Sequence, residues 1–299
     1  MRYEFVIADV FAQEAFGGNQ LAVIPDARGL SERLMQSLAN EFGFSETTFV
    51  LPPRDPCHTR QVRIFTPTQE LPFAGHPTVG TASVLAADGH VPVEPGQSFV
   101  LEEGVGPVTV ETAGTFSRLI ATTAFEAPYE QPPRQAIAAS LSLDEKQLRG
   151  CWYGSVGLPF CYVHLDSIDS VDAAFLDQAT WNAELANRWS PNLYFFAGEL
   201  RDGASIYARA FVPAFGIAED PATGSAAAGL VAHLAVHAPE PTGSYRVQIN
   251  QGVRMGRSSF IECTAEKENG QLIRTSVGGH TTIMARGTLD LEGKPPTTG

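Results

Sequence analysis

Positive charge is scarce in this 299-residue chain: 20 Lys and Arg stand against 33 Asp and Glu, for a net charge of −13. That argues against a nucleic-acid partner, which needs a broad basic face. A small anion fits only where local dipoles outweigh the global field. Cysteine is scarce too. Cys57, Cys151, Cys161 and Cys263 form no CxxC pair, so they read as free thiols rather than a zinc knuckle. The seven histidines show no HExxH spacing, and no metal is expected. GxGxxG is absent from any strand-turn-helix context, which removes a dinucleotide loop. No apolar run approaches the roughly 20 residues of a membrane span. The opening Met1-Arg2-Tyr3-Glu4-Phe5-Val6-Ile7 carries an early acid and is no signal peptide. The expectation is a cytoplasmic protein without nucleic-acid or membrane partners.

What the chain does have is a globular balance, 43% hydrophobic against 18% charged residues, and a length that suggests two domains. Its most informative stretch is Glu219-Asp220-Pro221-Ala222-Thr223-Gly224-Ser225, followed by the Ala-, Leu- and Val-rich run 226–238. Pro221 pushes Asp220 out of the α region, Thr223 or Ser225 can cap, and a buried helix follows. The first turn of such a helix presents free N–H groups and the positive end of its dipole, a seat for an anion. A capped core helix after a tight turn explains the same residues without a ligand.

The pattern occurs twice. Phe65-Thr66-Pro67 matches Phe211-Val212-Pro213, and Glu46 matches Asn192, both 146 residues apart. Gly75-His76 precedes one helix and Gly224-Ser225 the other, 149 apart, while Gly18-Asn19-Gln20 matches Gly157-Leu158-Pro159 at 139. A period near half the chain predicts two similarly folded domains rather than a solenoid. The expected division is 1–118 and 119–276, with a last strand at about 277–290 returning to the first domain. Two such halves packed about a pseudo-dyad would bring both helix starts to one cleft. Main-chain donors alone could then hold a carboxylate, at roughly 0.3–1 kcal/mol per exposed helix end.

Phe65-Thr66-Pro67 with Glu70-Leu71-Pro72-Phe73-Ala74-Gly75-His76-Pro77, and the stretch 219–226, closely resemble the phenazine-biosynthesis PhzF-like family. Phe44-Ser45-Glu46-Thr47-Thr48-Phe49-Val50, Gly18-Asn19-Gln20-Leu21-Ala22-Val23 and Gln251-Gly252-Val253 are similar to it as well. The resemblance implies an α+β, diaminopimelate-epimerase-like fold: two pseudo-symmetric domains, each a curled, mostly antiparallel sheet around a central helix. It also implies a homodimer that works without a cofactor on a small carboxylated substrate. The family's reference reaction is isomerisation of trans-2,3-dihydro-3-hydroxyanthranilate. By the same resemblance Glu46 is the acid/base, and His76, Asp220 and Ser225 are polar groups at the reacting centre. The amides near Gly75 and Gly224 would hold the substrate carboxylate. Related epimerases use one Cys per domain at the helix starts. His76 and Ser225 stand there instead, which argues against a two-thiol racemase. Gln20, where Pro is usual, and Val277-Gly278-Gly279-His280, where the phenazine enzyme has a Ser-Gly-Asn pattern, bear on substrate choice.

The residues suit that chemistry. Moving a proton on carbon needs a base within reach and stabilisation of the charge that develops. Glu46 lies between Phe44 and Phe49, where burial would raise its pKa, although Ser45-Glu46-Thr47 alone also reads as a solvated turn. A helix start lowers the pKa of His76 and favours the neutral ring, which both accepts and donates. Asp220 could fix its tautomer, Ser225 could bind a substrate oxygen, and Asn19 is a turn residue that could touch the ligand. A non-thiol epimerase of an amino-acid-like carboxylate, or a non-catalytic small-acid binder, stand as alternatives.

Overall fold

A computed structural model describes residues 1–91 and 96–291. The first half runs β1 (Arg2–Val10), β2 (Asn19–Ile24), α1 (Glu32–Phe42), β3 (Glu46–Leu51), β4 (Arg60–Phe65) and the short β5 (Glu70–Leu71). Then come α2 (Gly75–Ala87), β6 (Ser98–Glu103), β7 (Gly106–Ala113) and β8 (Phe116–Ala121). The second half runs α3 (Arg134–Ser140), β9 (Leu148–Val156), β10 (Leu158–Leu165), α4 (Ile168–Ala173), α5 (Gln178–Glu184), β11 (Leu193–Ala197) and β12 (Ala204–Val212). It ends with β13 (Ile217–Asp220), α6 (Gly224–His237), β14 (Gly243–Gln251), β15 (Ser259–Glu268) and β16 (Gln271–Asp290).

Strand pairing follows the order β1-β2-β3-β4-β6-β7-β8-β16-β15-β14-β12-β11-β10-β9, and β16 also pairs with β1. Seven strands of the first half and β16 therefore close a ring around α2. The second half curls around α6 with β9 as its end strand, and no strand pairing among the described residues closes that ring. Residues 275–280 of β16 lie antiparallel to β8, and 281–290 then run along β1. The chain leaving β8 does the reverse, bridging Glu126 to Ser155 of β9.

The registers repeat with the spacings read from the sequence. Thr47 faces Phe65 as Leu193 faces Phe211, each pair shifted by 146. Ala22 faces Thr47 as Cys161 faces Leu193, which places the incoming strands 139 apart. Ile64 faces Leu71 as Ala210 faces Asp220, and 220 − 71 is 149.

Both central helices are apolar on every side, so each is enclosed rather than laid on a surface. Gly80 and Gly229, again 149 apart, permit the closest contacts. An added β-carbon would meet Val10 Cγ2 at 2.5 Å in the first helix and the Tyr162 ring in the second. One apolar core spans both halves, from Val6 to Val277. The outer sheet faces are covered separately, by α1 in the first half and α3–α5 in the second.

Helices α4 and α5 are short and are capped by Ser167 and Asp177, and α2 starts at Gly75 with no side-chain cap. One local expectation changes. Thr223 occupies the N-cap position of α6, but its hydroxyl donates to Asp220 and caps no helix amide.

Candidate active site

The two helix starts meet. A β-carbon added at Gly75 would lie 3.5 Å from both Gly224 Cα and the Ser225 amide nitrogen. Neither N-cap residue, Ala74 nor Thr223, gives its side chain to the first-turn amides. Two positive dipole ends thus face one locality with their donors uncommitted to caps.

Strand direction brings the acid there. β2 and β3 run parallel, with Leu21 opposite Glu46. Asn19 and Glu46 begin their strands at the same end, beside the start of α2. Glu46 and His76 are buried, and His76 Nε2 lies 3.4 Å from Glu46 Oε2. Neither of these atoms has a hydrogen-bond partner among the described residues. The other ring nitrogen, Nδ1, is 3.3 Å from Asn19 Nδ2. Asn19 Nδ2 donates to Asp220 Oδ1 at 2.8 Å, across the line between the halves. Thr223 Oγ1 donates to Asp220 Oδ2 at 2.6 Å.

Burial sets the proton affinities. It pushes Glu46 up to about 7, with Ser45 pulling the other way. It pushes His76 down to about 4, against the charge of Asp220 and a hydrogen bond with the Gln20 backbone. Asp220 is raised by burial to about 6, with His76 opposing. Near neutral pH the imidazole is uncharged, and Glu46 is poised between acid and carboxylate. That combination can accept a proton from carbon and return it.

Asn19, Glu46, Gly75, His76, Asp220, Gly224 and the half-buried Ser225 are therefore gathered in one place. Gln251 escaped notice except as part of a motif. Its Nε2 donates to the Asp220 carbonyl at 2.8 Å, and its Oε1 accepts from the Thr223 amide at 3.2 Å. Arg257 and Glu103 were also missed. Strand-end pairing across the repeat would have matched Gln251 with Glu103. Among the described residues, no group of three or more His, Cys, Asp or Glu is arranged to hold a metal ion.

One continuous sheet curled in turn around two helices whose starts meet defines the diaminopimelate-epimerase-like class. The chain belongs to the phenazine biosynthesis-like family, PhzC-PhzF, whose signature matches residues 8–287. It is 38% identical over 300 residues to the trans-2,3-dihydro-3-hydroxyanthranilate isomerase of Pseudomonas chlororaphis, covering 97% of this chain and 100% of the relative. Among solved structures, the PhzF-family protein of Bacillus anthracis superposes with a TM-score of 0.84 at 22% identity, covering 97% of this chain and all of the other. A predicted epimerase of Pseudomonas aeruginosa gives 0.75 at 27% identity, over 96% of this chain and 99% of its own. The chain is an isomerase of this family.

Proposed function

We propose that the protein moves a proton on a small carboxylated substrate by acid/base catalysis, without a cofactor. The observation that carries this is the Glu46 carboxyl, whose Oε2 has no hydrogen-bond partner among the described residues, buried 3.4 Å from the His76 ring beside two helix starts that lack side-chain caps. As a carboxylate, Glu46 takes a proton from a substrate carbon and becomes the neutral acid. It returns a proton to another carbon, so the product keeps the formula of the substrate. The amides near Gly75 and Gly224 hold the substrate carboxylate and the negative charge that develops. His76 and Asp220 assist, and Asn19 and Ser225 contact the ligand. The identity to the Pseudomonas enzymes makes trans-2,3-dihydro-3-hydroxyanthranilate the first substrate to try.

The same reading takes 1–118 with strand 277–290 as one unit and 119–276 as the other, supported by the run of β16 along β1. It includes a homodimer in the cytoplasm. Free thiols at all four cysteines support a reducing compartment.

The test is NMR of that acid in deuterated water with enzyme present. Isomerisation with deuterium entering at carbon is the expected result. Neither product nor exchange, with this acid and with a panel of cyclic and amino-acid-like carboxylates, would overturn the reading.

A further inference from the structure

The halves differ sharply in one connection. Leu101 of β6 faces Val108 of β7, whereas Ile249 of β14 faces Ile261 of β15. The first pair is seven positions apart and the second twelve, so the second connection is five residues longer.

Both connections begin alike. Glu103 Oε1 accepts from Thr78 Oγ1 at 2.6 Å in the first turn of α2. Gln251, its counterpart, grips Asp220 and Thr223 at the start of α6. Gly104 and Gly252 then pass close to Pro72 and Pro221: an added β-carbon would come within 2.6 Å of Pro72 Cα and of the Pro221 carbonyl oxygen. There the shorter connection ends. The longer one goes on to Arg257.

Arg257 reaches into the other half. Its Nε donates to the Gly18 carbonyl at 2.8 Å, and its Nη2 donates to the Gly17 carbonyl and to Asp9 Oδ1, each at 2.5 Å. The second Asp9 oxygen accepts from the Phe16 amide at 3.0 Å. The Gly18 amide donates to the Ser258 carbonyl at 2.9 Å. The turn immediately before Asn19 is thus held from across the boundary. One connection fixes Asp220 through Gln251 and Asn19 through Arg257.

We propose that Arg257 is a positioning residue: it sets Asn19 against Asp220 and thereby orients the imidazole of His76. Its effect on turnover rests on the acid/base reading above, but its effect on His76 does not. Arg257 touches no reacting group and acts through the turn it holds.

The test uses the full chain labelled with ¹⁵N-histidine, together with amide hydrogen exchange. Arg257→Gln is expected to shift the His76 ring nitrogens and to speed exchange of the Gly18 amide at least about tenfold. Arg254→Gln, an exposed change in the same connection, should do neither. Arg257→Gln strands the Asp9 charge, so Asp9→Asn/Arg257→Gln is measured beside it and should show the same His76 shift. With trans-2,3-dihydro-3-hydroxyanthranilate, kcat is expected to fall about tenfold or more in both, with KM little changed, and Arg257→Lys should restore part of it. Unchanged His76 resonances and Gly18 exchange in the double variant would overturn the proposal. If the wild-type enzyme neither isomerises that acid nor exchanges its hydrogens, the substrate reading fails, while the His76 resonances still decide the role of Arg257.

Discussion

The two helix starts share a backbone and differ in chemistry. Both α2 and α6 begin with glycine after a two- to four-residue strand, and neither N-cap side chain caps the first turn. Equivalent positions then diverge: Glu46 against Asn192, Leu71 against Asp220, His76 against Ser225, Glu103 against Gln251. The groups that titrate are shared out unequally while the main-chain donors are duplicated. Holding an anion is therefore work the frame can divide evenly. On the proposed mechanism, proton transfer would fall mainly to the first half, which suits a shift within one molecule better than mirrored bases on opposite faces. The residues behind the starts tell a similar story. Arg63 pairs with Glu70 and lies over Phe65, and Arg209 pairs with Glu219 and lies over Phe211, each arginine 5.1 Å from its ring. Only the second pair is deeply enclosed, with side chains 8% and 18% exposed against 19% and 38%. It adjoins Asp220, the titrating member of its half.

Replacing Glu46 by Gln should have the largest effect. Turnover is expected to drop about 10²- to 10⁴-fold with ligand affinity retained. Initial rates and calorimetry check it, and full activity in the variant would erase the chemical contrast between the halves. The arginine pairs come next. Glu219→Gln strands the enclosed Arg209 charge and should cost about 3 kcal/mol or more in denaturant melts. Glu70→Gln should cost only about 0–1 kcal/mol. Equal losses would show that exposure does not distinguish the two clamps. Gly75→Ala and Gly224→Ala probe the shared donors. Each should raise KM about tenfold while sparing kcat, because the added methyl group, though at ordinary contact distance from its neighbours, takes up space between the two helix starts. A change in only one of them would mean that a single helix holds the carboxylate.

A smaller effect lies in the pH dependence of stability. The Glu46 carboxyl rises from 4.5 to about 7 on folding. Its favourable contribution is complete below pH 4.5 and is lost as pH climbs through 7. Glu46→Gln lacks this loss, so at pH 8 the variant should be the more stable by about 1–3 kcal/mol. Melting curves at pH 4.5 and pH 8 read the difference. No gain at the higher pH would place the carboxyl in water.

Much of this was legible in the sequence because the repeat is written in short, well-marked pieces. Phe65-Thr66-Pro67 and Phe211-Val212-Pro213 end matching strands, and the glycines at 75 and 224 open matching helices. Glu46 and Asp220 could be singled out only through the family's motifs, since each alone looks like a turn acid. Other features left no local trace. Strand β9 carries half-buried residues such as Cys151 and Trp152 that break the alternation. The enclosed helices lack a polar face, so periodicity could not place the start of α2 at Gly75. Arg257 reads as a surface cation until the register puts it beside Gly17, some 240 residues upstream. Thr223 was expected to cap because capping is the commonest use of such a residue. Its hydroxyl instead donates to Asp220 and accepts from Gln251, both brought in by folding.

The pairing of β1 with β16 carries a cost in time. Arg2 lies opposite Asp290 and Val10 opposite Thr281, so β1 lacks that neighbour until some 280 further residues have been made. Contacts so remote along the chain slow folding. A nascent chain stalled before residue 281 would display the open flank of β1, a template for unwanted strand addition by other chains. Synthesis of this enzyme should accordingly stay vulnerable to aggregation until β16 has been made.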